Sequence, residues 1–136
     1  MAEPITTKIG QFIQSYDWEF TQEANNEFTT RFVGETTNTS FNLIVNIDEK
    51  WISLTVWPYL PNIPEKKEVE ALQLICKRNF QIRLARLAMT DQGDIALCLD
   101  FPVEVLTEQC FHDSLDVITY YADALFPDFL SFWSEE

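Results

Sequence analysis

The side chains that could do chemistry in this chain are few, and they are scattered. Its single histidine, His112, stands four residues before Asp116, a spacing that sets the two on one face of a helix. Such a pair can orient an imidazole as a base or begin a metal shell. A zinc site draws several ligands from His, Cys and carboxylates, and neither a second histidine nor a Cys-x-x-Cys spacing is present to complete one. His112 therefore reads as an exposed histidine among acids. Two carboxylate pairs, Asp48-Glu49 and Asp91/Asp94, have the composition for acid–base work. Both fall in short polar stretches between apolar runs, where Asp is favoured because its carboxylate bonds the backbone of its own turn. The turn reading accounts for them. Cys76, Cys98 and Cys110 are odd in number, widely spaced and set in apolar patterns, which marks them as buried reduced thiols. With three glycines in all (Gly10, Gly34, Gly93), no glycine-rich phosphate loop and no Gly-x-Ser-x-Gly elbow can be written. These residues point to no enzyme, with no catalytic centre, no metal and no cofactor.

The net charge of −13 is local rather than spread. Through Arg86 the chain holds all nine of its Lys and Arg against eleven acids; from Leu87 to Glu136 it holds eleven acids and neither Lys nor Arg. Such a half repels a phosphate backbone, so neither nucleic acid nor an anionic membrane is an expected partner. A protein partner suits it better. The alternative is that the acids solvate one helix face and keep the domain soluble. Lys77, Arg78, Arg83 and Arg86 make a small basic spot without interleaved aromatics. It can cap a helix and pair with nearby acids, or meet the acidic half of a second copy in a homodimer. The opening residues MAEPITTKIGQF lack the basic and apolar regions of a secretory signal. No apolar run reaches the roughly eighteen residues of a membrane span, and a cytoplasmic protein is expected.

Hydrophobic periodicity supplies the elements that must position these residues. Ile9, Phe12, Ile13 and Tyr16 recur at helical spacing, predicting a short helix over Thr6 to Tyr16. Strands are expected at Phe28 to Val33, at Phe41 to Asp48 and at Trp51 to Trp57, the last two joined by a turn at Asp48-Glu49-Lys50. Pro58, Pro61 and Pro64 lack backbone donors, so the segment between Pro58 and Pro64 is expected to end the strand. Pro64 and the acids Glu65 and Glu68 suit a helix start, and Val69, Leu72, Ile75, Cys76 and Phe80 form its apolar stripe. A hairpin from Ile82 to Met89 and Ile95 to Phe101 follows, with Ile82, Leu84, Ile95, Leu97, Leu99 and Phe101 as core candidates. The last helix starts at Thr107 as N-cap, with Phe111, Leu115, Ile118, Ala122, Leu125 and Phe129 as its seam; Pro127 is expected to kink or end it. The order α-β-β-β-α-β-β-α describes one α+β domain over residues 1–136, an antiparallel sheet of about five strands with helices on one face.

The second hairpin carries a resemblance. Asn79 before the strand, Ala85-Arg86-Leu87 within it, Asp91-Gln92-Gly93-Asp94 at the turn and Asp100-Phe101-Pro102 at the close look like the YbjN-like family, whose fold is that of the type III secretion chaperones. The Trp51-to-Pro58 strand and the proline-rich approach to the helix are similar too. The resemblance implies a small, acidic, usually dimeric protein that holds partly unfolded clients along an apolar sheet surface, or a regulator, with no catalytic residues to carry over. Trp51, Trp57, Tyr59, Phe132 and Trp133 are the candidate protein-binding residues, because Trp and Tyr bury large area with few rotors. Each can equally serve the core or a dimer contact. A different class of function, a ligand-binding domain or small enzyme, would need a pocket between sheet and helices.

Overall fold

A computed structural model describes residues 2–60 and 62–134. Pro61, one of the expected strand-ending prolines, lies outside them. Helix α1 (Ala2–Ser15) buries Ile9 and Ile13 completely. It closes with the Trp18 and Asp17 N–H groups donating to the carbonyls of Ile13 (3.3 Å) and Gln14 (2.9 Å), while Asp17 takes φ 65°. That is the helix-ending pattern in which one left-handed residue turns the chain back over the last carbonyls.

Six antiparallel strands follow: β1 (Thr21–Ala24), β2 (Glu27–Val33), β3 (Ser40–Ile47), β4 (Trp51–Leu60), β5 (Arg86–Met89) and β6 (Ile95–Pro102), in the order β1-β2-β3-β4-β6-β5. Between β4 and β5 runs α2 (Glu68–Gln81), entered through a single 3-10 turn whose N-cap is Pro64. Helix α3 (Glu108–Ser134) comes last. Thr107 is its N-cap, its Oγ1 accepting the Cys110 N–H at 3.0 Å. The alternating strands send Phe41, Leu43, Val45 and Ile47 of β3 and Ile52, Leu54 and Val56 of β4 inward. There they meet the α3 seam from Phe111 to Phe129, all six residues of which are buried. Helix α3 lies over β4 and β6, α1 beside α3, and α2 against β5.

The structure departs from the sequence reading at several elements. Strand β1 was not expected; its Thr-Gln-Glu-Ala has no apolar alternation, and all four residues are exposed. Strand β4 continues through Pro58 to Leu60, across a register shift against β6 between Val56 and Leu60, where the ladder does not require the missing donor. Strand β5 begins only at Arg86, because Leu84 takes φ 69° and turns outward, 62% exposed, whereas Ile82 is buried at the end of α2. Helix α3 carries Pro127 inside it and continues to Ser134. Beyond that proline Phe129 is fully buried and the Trp133 indole donates to the Asn62 carbonyl at 3.2 Å, so packing outweighs the lost backbone bond.

Helix α2 also departs from its expected stripe. Its core side is Ala71 and Ile75, whereas Val69, Leu72, Cys76 and Phe80 are exposed, Phe80 by 88%. The expected apolar set thus joined residues from two different faces. The thiols differ as well: Cys76 is exposed, and Cys98 and Cys110 are half-buried.

Candidate interaction surface

The side of the sheet away from the helices is open. One row crosses all six strands there, Thr21–Thr29–Ile44–Thr55–Cys98–Arg86, each residue paired with the next. Beside it runs Glu27–Asn46–Ser53–Asp100. Most of these side chains are small or polar, which is what a face without a covering layer requires. Its cations are tied down: Arg86 pairs with Asp100 at 2.9 Å, and the Arg31 guanidinium donates to Asn42 at 3.0 Å.

Two tryptophans rise from this floor. Trp51 and Trp57 stand at opposite ends of β4's outward row, 47% and 39% exposed. The Trp57 indole N–H donates to Asp94 at 3.0 Å, and the Thr90 hydroxyl also donates to Asp94. The β5–β6 turn therefore fixes the ring. Trp57 and Ile44 form a ridge between two shallow clefts. The larger, of about 920 Å³, reaches Arg31, Glu19 and Trp18. The smaller, of about 520 Å³, is floored by Ser53, Thr55, Ala88, Ala96 and Cys98. Burial pushes the Cys98 thiol up, further than Arg86 and the Thr55 hydrogen bond pull it down, which favours the neutral thiol in the floor.

The five aromatic residues singled out from sequence do not form one cluster. Tyr59 is 5% exposed and its hydroxyl donates to the Ala122 carbonyl at 2.7 Å; burial, with Asp123 and Asp128 nearby, raises its pKa. Phe132 and Trp133 are half-buried at the end of α3, where the Lys67 ammonium donates to the Phe132 carbonyl at 2.7 Å and lies 5.3 Å from its ring centroid. Only Trp51 and Trp57 share the open face. Alternation along β4 points to both of these. The small-residue trough beside them was missed, because small residues carry no periodic hydrophobic signal.

The other candidates have local partners. His112 is half-buried, with Nε2 donating to the Phe12 carbonyl at 3.0 Å. It thereby ties α3 to the end of α1, rather than standing exposed among acids. Asp116 accepts the Tyr16 hydroxyl; burial first, then that bond, raises the Tyr16 pKa. Asp48 Oδ1 accepts the Lys50 and Trp51 N–H groups at 2.8 and 2.7 Å, closing the β3–β4 turn. Arg78 of the basic spot lies 3.7 Å from Asp128. A carboxylate that sequence reasoning did not single out, Asp123 on α3, accepts the Thr36 and Thr37 N–H groups at 2.8 and 2.9 Å and the Thr37 hydroxyl at 2.8 Å. Burial alone would raise its pKa, but these bonds reverse the effect and hold it below the ordinary value. Among the described residues no group of three or more His, Cys, Asp or Glu could hold a metal ion, and no helix is long and apolar enough to cross a membrane.

Solved structures share this fold at low identity. A chain of the heterodimeric ExoU-SpcU complex from the type III secretion system of Pseudomonas aeruginosa is 16% identical at TM-score 0.63, covering 88% of this chain and 95% of that one. A chain of the HopA1-SchA chaperone-effector complex is 13% identical at TM-score 0.60, covering 88% and 92%. YbjN from E. coli is 10% identical at TM-score 0.59, covering 88% and 89%. A search of curated protein sequences found no match. Residues 7–131 match the YbjN family, described as "Putative bacterial sensory transduction regulator". The chain belongs to the YbjN family.

Proposed function

We propose that this chain, read as one domain, is a non-enzymatic protein-binding module, chaperone-like or regulatory, that engages its partner on the open sheet face and works as a homodimer. The observation that carries the reading is the uncovered face itself, with Trp51 and Trp57 above a small-residue floor. The similar structures support it, since ExoU-SpcU and HopA1-SchA are complexes between proteins. The rival reading, a ligand pocket between sheet and helices, is disfavoured because Phe28, Phe111 and Phe129 are fully buried in the middle of that space, which leaves clefts only at its margins, between α1 and β1–β2 and between β2 and α3. Photo-crosslinking tests the reading. A crosslinkable residue at Thr55 should capture a protein partner in native lysate, and one at the exposed Tyr120 of α3 should not. Equal capture from both positions counts against the open face.

The dimer half of the reading rests on α2. Val69, Leu72, Cys76 and Phe80 recur at spacings of 3, 4 and 4, a seam suited to a second helix. Glu65, Glu68 and Glu70 stand at the entry to α2, beside Lys66 and Lys67, and Lys77, Arg78 and Arg83 stand at its end. Antiparallel packing of two α2 helices sets the acids of each against the bases of the other. Light scattering should return twice the 15.9 kDa chain mass, with the dimer weakening in high salt. A monomer at micromolar concentration in both low and high salt ends the idea.

A further inference from the structure

We propose that the smaller trough takes an extended peptide segment carrying one bulky apolar side chain and, four residues away on the same face, Lys or Arg. The inference rests on the open-face reading and adds the chemistry of the partner. The first support is shape. Ser53, Thr55, Ala88 and Ala96 leave the floor low, and Trp57 walls one end. The bond to Asp94 holds that indole as a fixed wall, so a guest side chain packs against a surface that loses little freedom on binding.

The second support is charge. The opposite end of the trough is lined by Glu27 and Asp48, and none of its lining residues is Lys, Arg or His. The Lys50 and Trp51 N–H groups fix the Asp48 carboxylate at that end. The larger cleft across the Ile44–Trp57 ridge contains both Arg31 and Glu19, so it sets no preferred sign. The third support is reach. From Trp57 to Ser53 the strand advances four residues, about 13 Å, which an extended guest spans in the same number of residues. Apolar anchor at Trp57 and cation at Glu27/Asp48 then follow in one register.

The probes are short synthetic peptides in a Gly/Ser background, read by fluorescence anisotropy. One carries Leu and, about four residues on, Lys; the others replace that Lys by Glu or that Leu by Ala. The Leu/Lys peptide should bind about tenfold tighter than either control. Glu27→Gln, which leaves only Asp48 at that end, should shrink the charge preference. Asp113→Asn, an equal charge change on exposed α3, should leave it intact, which separates a local site from attraction to net charge. Thr55→Trp should fill the trough and abolish binding; should that variant fail to fold, Glu27→Gln decides alone. Equal affinity for Lys and Glu peptides, with Thr55→Trp still blocking, overturns the proposed chemistry and leaves the open-face reading standing. Binding that survives Thr55→Trp in folded protein overturns both. Absence of binding by every peptide overturns the proposal, while crosslinking at Thr55 still judges the face.

Discussion

Asp123 holds the β2–β3 loop to α3 by accepting three hydrogen bonds, and Gly34 leaves room for it: a Cβ on that glycine would collide with the Asp123 carboxylate. A folded pKa held below its ordinary value makes this acid stabilising above its unfolded pKa. The contribution is then lost as pH falls through the folded value. Asp123→Asn turns one acceptor oxygen into a donor facing donors and should cost about 2 kcal/mol at neutral pH. Urea unfolding should show that difference shrinking as pH is lowered below about 4, the ordinary Asp range. A difference of the same size at pH 7 and pH 3 would mean that the charge is not what matters. At this scale the sequence was partly legible. Alternation from Trp51 put Trp57 on the outer side, and the strand was expected to end at Pro58, before Tyr59. The irregularity between Val56 and Leu60 breaks that parity, and Tyr59 turns into the core. Asp123 gave no signal, because its donors lie more than eighty residues away in sequence.

At the scale of elements, α2 is the piece with two apolar sides. Ile75 serves the core and Phe80 faces out. Ile75→Ala should therefore lower stability by about 2 kcal/mol, as core truncations do. Phe80→Glu should leave the melting temperature of the monomer within the range of ordinary surface changes and halve the mass in solution, if the α2 seam joins two copies. Thermal melts alongside light scattering separate the two effects. The elements that periodicity revealed, α1, β3, β4, β6 and α3, each have a buried side. Strand β1 was invisible because it buries nothing and exists only by pairing with β2. The outward turn of Leu84 was invisible because a left-handed residue other than glycine or asparagine carries no local sequence mark.

For the whole molecule, the acid excess follows the fold. The half of the chain without Lys or Arg builds β6, most of β5 and all of α3, so one helix and one hairpin carry most of the negative charge. Like charges at that density repel, and the two ion pairs found among the described residues offset little of it. Added salt should raise the melting temperature, which differential scanning fluorimetry across sodium chloride concentrations can follow. A fall instead would mean that screened attractions outweigh the repulsion.

Helix α3 has one more consequence, in time rather than in space. Its bonds reach Phe12, Thr36, Tyr59 and Asn62, partners spread over the first half of the chain. On a ribosome the strands emerge and can pair before residues 108–134 exist, so the inner side of the young sheet waits uncovered. During synthesis the vulnerable surface is thus the one that ends up hidden, and a pause before residue 108 would leave it open to aggregation or to a nascent-chain chaperone.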